Sequence, residues 1–225
     1  MDHGIWAIWY DIAAENKTEY LDWFHRVHIP EKLSRPGYRW AAHYTLQKHG
    51  ADCGYLALFG GETAHTFLNP SPAQLHLRQS PETRRLMAMR RDPAMCVLAE
   101  EARVDGPDAA LRGPGLTTAP VIQMGNYNAP TPAVEDDLGG WYAQYRLPVM
   151  RELPGSIGTR KLLATMGAHK HAILYEFTSL ELREQHYAPL EAEAQDVRTW
   201  TARVTTKLHH APRSPAVGQR IWPAG

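Results

Sequence analysis

Residues Trp23–Gly37 read WFHRVHIPEKLSRPG, and residues Trp141–Gly155 read WYAQYRLPVMRELPG. Trp23, Pro30, Pro36 and Gly37 of the first stretch recur as Trp141, Pro148, Pro154 and Gly155, with the same internal spacing and one constant offset. Self-similarity at a fixed period marks a unit used twice, and a unit of roughly 110 residues is a normal size for one self-contained fold. Each stretch ends on Pro-Gly, the punctuation that closes a helix before a strand.

The flanks complete the unit. In the first copy GIWAIWYD (Gly4–Asp11), dense in β-branched and aromatic residues, reads as a strand. A helix follows to about Ser34, then YRWAAHYTL (Tyr38–Leu46) and GYLALFG as a hairpin. SPETRRLMAMRRD reads as a helix with Ser80 as its cap, and MCVLAEEARV closes the unit as a fourth strand. The second copy offers VIQMGNYN, a helix over 134–152, SIGTRKLLA, HAILYEF, a helix over 180–194, and TWTARVTTK as the closing strand. Strand-helix-strand-strand-helix-strand order gives an antiparallel four-stranded sheet with two helices on one face, the ferredoxin-like arrangement. The bare sheet faces then pack on each other. The expected fold class is α+β, two tandem ferredoxin-like units forming a pseudo-dimeric barrel. The expected boundaries are repeat one over 1–104, a Gly/Pro-rich linker over 105–119, repeat two over 120–207 and an extended C-terminal arm over 208–225.

Composition bounds the partners. The 225 residues carry 24 Lys+Arg against 24 Asp+Glu, so there is no electrostatic footprint for nucleic acid or an anionic membrane. No stretch approaches the roughly 20 apolar residues of a membrane span, and MDHGIWAIWYD lacks the basic start of a signal peptide. The two cysteines, Cys53 and Cys96, suit a reducing compartment as small buried hydrophobes. A cytoplasmic chain with a small-molecule substrate is the expectation, with homodimerisation left open.

The Trp-x4-His-x-Pro-x5-Pro-Gly pattern at Trp23, His28, Pro30, Pro36 and Gly37, set between strands one and two, resembles the dimeric α+β barrel superfamily and within it the EthD-like group. That resemblance implies a small-molecule cavity in each unit between sheet and helices. It spans cofactor-free monooxygenases, cyclases, isomerases and haem enzymes, so it leaves the reaction open. The Gly-x-x-Asp-Gly motif of tandem haem peroxidases is incomplete here, where Ala102 stands in the place of the first glycine before Asp105-Gly106. No cofactor and no metal are expected.

The candidate chemistry rests on histidine. Leu21, Phe24 and His28 share the apolar stripe of the first helix, which makes His28 the expected general base. In strand two, Arg39, Ala41, His43 and Thr45 alternate with the bulkier Tyr38, Trp40, Ala42 and Tyr44, placing His43 on the face opposite the bulkier set. His43 is the expected partner acid, and Tyr10 the donor to a developing enolate oxygen. His25, one turn before His28, and the aromatics Trp9 and Tyr44 are expected to bind substrate. The second copy replaces His25, His28 and His43 by Ala143, Arg146 and Lys161. Permanent cations there suggest a carboxylate pocket formed by Arg146, Arg160 and Lys161.

Taken together, these readings predict a cofactor-free acid–base enzyme acting on a small enolisable or unsaturated carbonyl compound by isomerisation, cyclisation, dehydration or hydrolysis. The alternatives are a cofactor-independent monooxygenase of quinol-type substrates and a non-catalytic small-ligand binder.

Overall fold

A computed structural model describes residues 2–112 and 119–224. The first half runs β1 (Gly4–Ile12), a helix α1 over residues 17–33, β2 (Tyr38–Lys48), β3 (Ala51–Gly61), α2 (Pro72–Leu77), α3 (Pro81–Met87) and β4 (Arg90–Asp105). The second half runs β5 (Val121–Asn128), a helix α4 over 132–152, β6 (Ser156–Met166), β7 (His171–Phe177), a helix α5 over 180–195, α6 (Trp200–Thr205), β8 (His209–His210) and β9 (Ala216–Trp222). The expected linker over 105–119 is described as far as Arg112, with a short 3-10 turn at Ala109–Leu111, and again from Ala119. Residues 113–118 lie outside the described residues.

Each half orders its strands in the ferredoxin-like way: β4-β1-β3-β2 in the first, β9-β5-β7-β6 in the second. Antiparallel pairing of β4 with β6 and of β2 with β9 joins the two sheets edge to edge, and the eight strands close into a barrel. Closure removes the open edges that a four-stranded sheet would leave. Strand alternation then divides the core in three. Ile5, Ala7 and Trp9 of β1 point into the barrel with Trp40, Ala42 and Tyr44 of β2. Trp6, Ile8 and Tyr10 point outward to the first half's helices, and Val121 and Tyr127 of β5 do the same in the second.

The closing strand of the second half corrects the sequence reading. TWTARVTTK does not form a strand: Thr199 caps a helix by accepting from the Ala202 N–H, and Trp200–Thr205 follow as α6. The fourth strand is instead β9, drawn from the tail that reads as an extended arm, and it is seated between β2 and β5.

Both signature stretches carry the same irregularity. Pro30 has no N–H to give the carbonyl of Arg26, and α1 widens into a π-helical turn over Phe24–His28. Pro148 has the same relation to Gln144, and α4 widens over Tyr142–Arg146. Gly37 and Gly155 then reverse the chain with φ of 82° and 80°. Among the described residues no helix is long and apolar enough to cross a membrane.

Candidate functional site

In the first half a chain of three side chains leads from the core towards the surface. The Tyr10 hydroxyl lies 2.8 Å from His43 Nε2, and His43 Nδ1 lies 2.8 Å from His25 Nε2. His43 is fully enclosed on β2, and His25 is half-buried on the π turn of α1 with its ring against Trp222 of β9. Burial pushes the Tyr10 phenol well above its ordinary range, with Tyr20 adding to the effect, so Tyr10 is the donor. His43 must then accept at Nε2 and donate from Nδ1 to His25, which fixes its tautomer. Burial, together with His25 and Arg90, holds His43 well below the usual imidazole value, and burial lowers His25 against the opposing pull of Asp22.

His28 is not part of that chain. It is buried on the last π residue, with its ring 4.7 Å from Trp23 and 5.5 Å from Phe24, and its Nδ1 has no partner. Burial, reinforced by Lys32, Arg90 and Arg35, pulls its pKa down to about 2. An imidazole that stays neutral to that depth is a poor proton acceptor at neutral pH, since an effective general base titrates near the working pH. Between sheet and helices in this half Tyr10 stacks on Tyr55 and Tyr20 on Phe24, while Tyr10 meets Tyr20 and Phe24 edge-on.

In the second half a cavity of about 360 Å³ lies between sheet and helices. Gly125 and Tyr127 of β5 and Ile173 and Tyr175 of β7 form its floor. Trp141, Tyr142 and Arg146 descend from α4, and Tyr187 from α5. The Arg146 guanidinium is 2% exposed and lies 4.8 Å from the Trp141 ring centroid and 5.5 Å from that of Tyr187. Its Nη2 reaches the Leu190 carbonyl at 3.4 Å, while Nε and Nη1 have no acceptor, and neither has Trp141 Nε1. Burial opposes the charge, but Tyr187, Tyr175, Tyr142 and Glu193 outweigh it and the guanidinium pKa is raised. Tyr127 and Tyr142 share a 2.6 Å hydrogen bond, and burial raises both phenols.

The other expected anchors are already occupied. Arg160 is fully buried in the barrel, its Nη1 2.6 Å from Asp2 Oδ2 and its Nε 3.3 Å from Glu176 Oε2. Lys161 donates to Glu101 Oε1 at 2.6 Å. Both cations are held in ion pairs, whereas Arg146 forms none among the described residues. Tyr44 donates to the Ala119 carbonyl at 2.8 Å inside the barrel. Trp9 lies in the barrel core and borders a separate cavity with Met95 and Asn126. Sequence reasoning missed Tyr127, Trp141, Tyr142, Tyr175 and Tyr187 as cavity residues; the constant offset, which pairs Trp141 with Trp23, was the available signal for Trp141.

No protein-family profile and no curated protein matches the chain. Solved structures do match along nearly its whole length. An anthrone oxidase-like protein superposes with a TM-score of 0.60 at 11% identity, covering 98% of this chain and 92% of that one. A protein designated a monooxygenase from Lactobacillus acidophilus NCFM gives 0.53 at 12% identity, covering 97% and 94%. A mutant chlorite dismutase from Candidatus Nitrospira defluvii gives 0.52 at 10% identity, covering 97% and 91%. The chain therefore has the dimeric α+β barrel fold, with both sheets supplied by one polypeptide.

These names overturn the expectation of a cofactor-free acid–base isomerase, lyase or hydrolase, since they point to oxidative chemistry instead. Haem, which the superfamily also uses, does not fit the second-half cavity. Haem iron takes its axial ligand from histidine, cysteine, methionine or tyrosine. Among the described lining residues the single imidazole is that of His210, exposed on β8 and edge-on to Tyr127 at 5.5 Å. There is no thiol or thioether, and burial holds the four lining phenols in their protonated form.

Proposed function

We propose that this chain is an oxidoreductase that oxidises a small phenolic or enolic aromatic compound in the second-half cavity. One observation carries the reading. Three buried donors without acceptors, Arg146 Nε, Arg146 Nη1 and Trp141 Nε1, belong to two residues that line an aromatic-walled cavity of about 360 Å³. Buried donors in native structures are nearly always paired, so a set of three calls for an acceptor-rich ligand. Tyr175, Tyr187 and Trp141 supply flat apolar walls for a ring. Arg146 favours the ionised form of a phenol or enol, whose proton passes to water. Dioxygen is the co-substrate that takes electrons from that anion, and with anthrone one oxygen atom enters the product as a new carbonyl while the other leaves as water. The Tyr127–Tyr142 pair keeps its hydrogen bond beside the cavity and has one phenolic O–H left to donate to the same ligand. The names of the structural neighbours, one of them anthrone oxidase-like, support the oxidative class.

The test compares two cations of α4 and β6 with anthrone as probe. Arg146→Gln is expected to weaken anthrone binding by about 10- to 100-fold, the range of one charge-assisted hydrogen bond, and to lower its oxidation, followed as oxygen consumption. Lys161→Met, which removes a cation already paired with Glu101, is expected to leave binding unchanged. Equal binding by wild type and Arg146→Gln across a panel of phenolic and enolic aromatics would remove the proposed anchor.

A further inference from the structure

A second cavity, of about 640 Å³, opens between the C-terminal turn of α1 and the segment 66–83, on the other half of the molecule. Its wall gathers three cations, Lys32, Arg35 and Arg78, against one carboxylate, Glu31. Glu31 is already taken by Arg35 Nη2 at 2.8 Å. Lys32 is 4% exposed, and among the described residues it forms no ion pair or hydrogen bond; its ammonium lies 5.4 Å from the Trp6 ring centroid. Arg35 Nη1 and the Nδ1 of the buried His28 have no partner. Burial and the nearby Arg35 draw the Lys32 pKa down to about 8 against the opposing pull of Glu31.

A buried cation with no ion-pair contact carries a desolvation cost that Glu31, already paired with Arg35, offsets only in part, and its persistence needs a reason. The fold does not supply one. At the constant offset, Lys32 and Arg35 correspond to Met150 and Leu153, both buried apolar residues, at the end of α4 and just past it. The turn packs well on its sheet without charge, and the cations are peculiar to the half that holds this cavity. Arg78 on α2's C-terminal edge belongs to an exposed segment and makes no ion pair among the described residues, which leaves it free to turn towards the same space.

We propose that this cavity binds a small organic anion, its carboxylate or phosphate held by Lys32, Arg35 and Arg78 and its body lying against Tyr38 and Leu75. The site is separate from the Arg146 cavity and independent of the reaction assigned there.

The full chain is titrated calorimetrically, in a chloride-poor buffer free of phosphate, with inorganic phosphate, pyrophosphate, succinate and benzoate. The first pair and the second pair separate phosphate from carboxylate recognition. At least one probe is expected to bind in a one-to-one complex and to raise Tm. Lys32→Met and Arg78→Gln are each expected to weaken it on the order of 10-fold or more, as befits loss of a charge-assisted contact. Arg146→Gln is expected to leave this binding intact, so failure of the oxidative reading leaves this test standing. Arg78 is exposed, so Arg78→Gln is the decisive variant if Lys32→Met does not fold. No binding by any of the four anions, or binding that survives Arg78→Gln and Lys32→Met, would overturn the proposal. So would haemin binding with a Soret band that depends on His28.

Discussion

The Tyr10 hydroxyl donates to His43 Nε2 across 2.8 Å in the interior of the first half, tying β1 to β2 through their helix-facing side chains. Neither group has access to water, and Arg90 covers the outer face of the phenol at 4.4 Å from its ring centroid. Removing one partner strands the other in the core. Tyr10→Phe is therefore expected to destabilise the protein by about 1–3 kcal/mol, the cost of an unsatisfied buried polar group. Replacing His43 by leucine in the same chain should recover part of that loss, because the two enclosed polar groups then disappear together and only the half-buried His25 loses a partner. Denaturant unfolding of the two single variants and the double variant gives the coupling directly. Additive losses would mean that the hydrogen bond contributes nothing beyond the separate groups.

Three histidines of this half are held neutral by burial, and that sets the direction of the pH response. His25, His28 and His43 all have folded pKa values below the ordinary 6.5, with His28 at about 2. Below pH 6.5 the unfolded chain takes up protons that the folded chain refuses. Stability is therefore fully present above that pH and falls as the pH drops towards about 2. Each enclosed histidine contributes a slope of at most about 1.4 kcal/mol per pH unit. The denaturant midpoint should fall between pH 7 and pH 5, and His28→Phe should flatten the fall. A midpoint that stays level over that range would contradict the burial of these rings as neutral groups.

The fold was legible where periodicity was local. VIQMGNYN and HAILYEF coincide with β5 and β7, and the Trp…Pro…Pro-Gly stretches run through the π turns of α1 and α4. The closing strand was not. TWTARVTTK is rich in β-branched residues, yet the Thr199 cap and the burial of Thr201, Ala202 and Val204 favour a helix. What makes AVGQRIW a strand is its seat between β2 and β5, a long-range pairing hidden behind Pro212 and Pro215. The same distance problem governs the site. Arg160 read as a free anchor because its partner Asp2 lies at the opposite end of the chain. His25 joins His43 only once α1 lies on the sheet, whereas helical spacing alone favoured His28. Arg146 was legible as a cation exchanged for His28; that it faces a cavity follows from the packing of α4 and α5 over Gly125, which no local pattern carries.

The glycine that ends the second signature stretch links the helix stop to the cavity wall. Gly155 and Gly50 have nearly the same left-handed conformation, with φ of 80° and 78°. A side chain at either position pays the backbone penalty of about 1–2 kcal/mol. Their surroundings differ. A Cβ at Gly50 meets nothing within 4 Å, whereas one at Gly155 falls 2.6 Å from the Cβ of Leu182, immediately before the π turn Arg183–Tyr187. Leu182 has to move, and with it the turn that sets Tyr187 against the cavity. Gly155→Ala is expected to lose about 1–3 kcal/mol more than Gly50→Ala, the usual range for overpacking, and to weaken binding of an aromatic ligand in the second-half cavity. Gly50→Ala should leave that binding alone. Thermal unfolding with ligand titration of the two variants decides the matter. Equal losses would show that the Gly155–Leu182 approach relaxes freely and that the turn beyond it does not hold the wall.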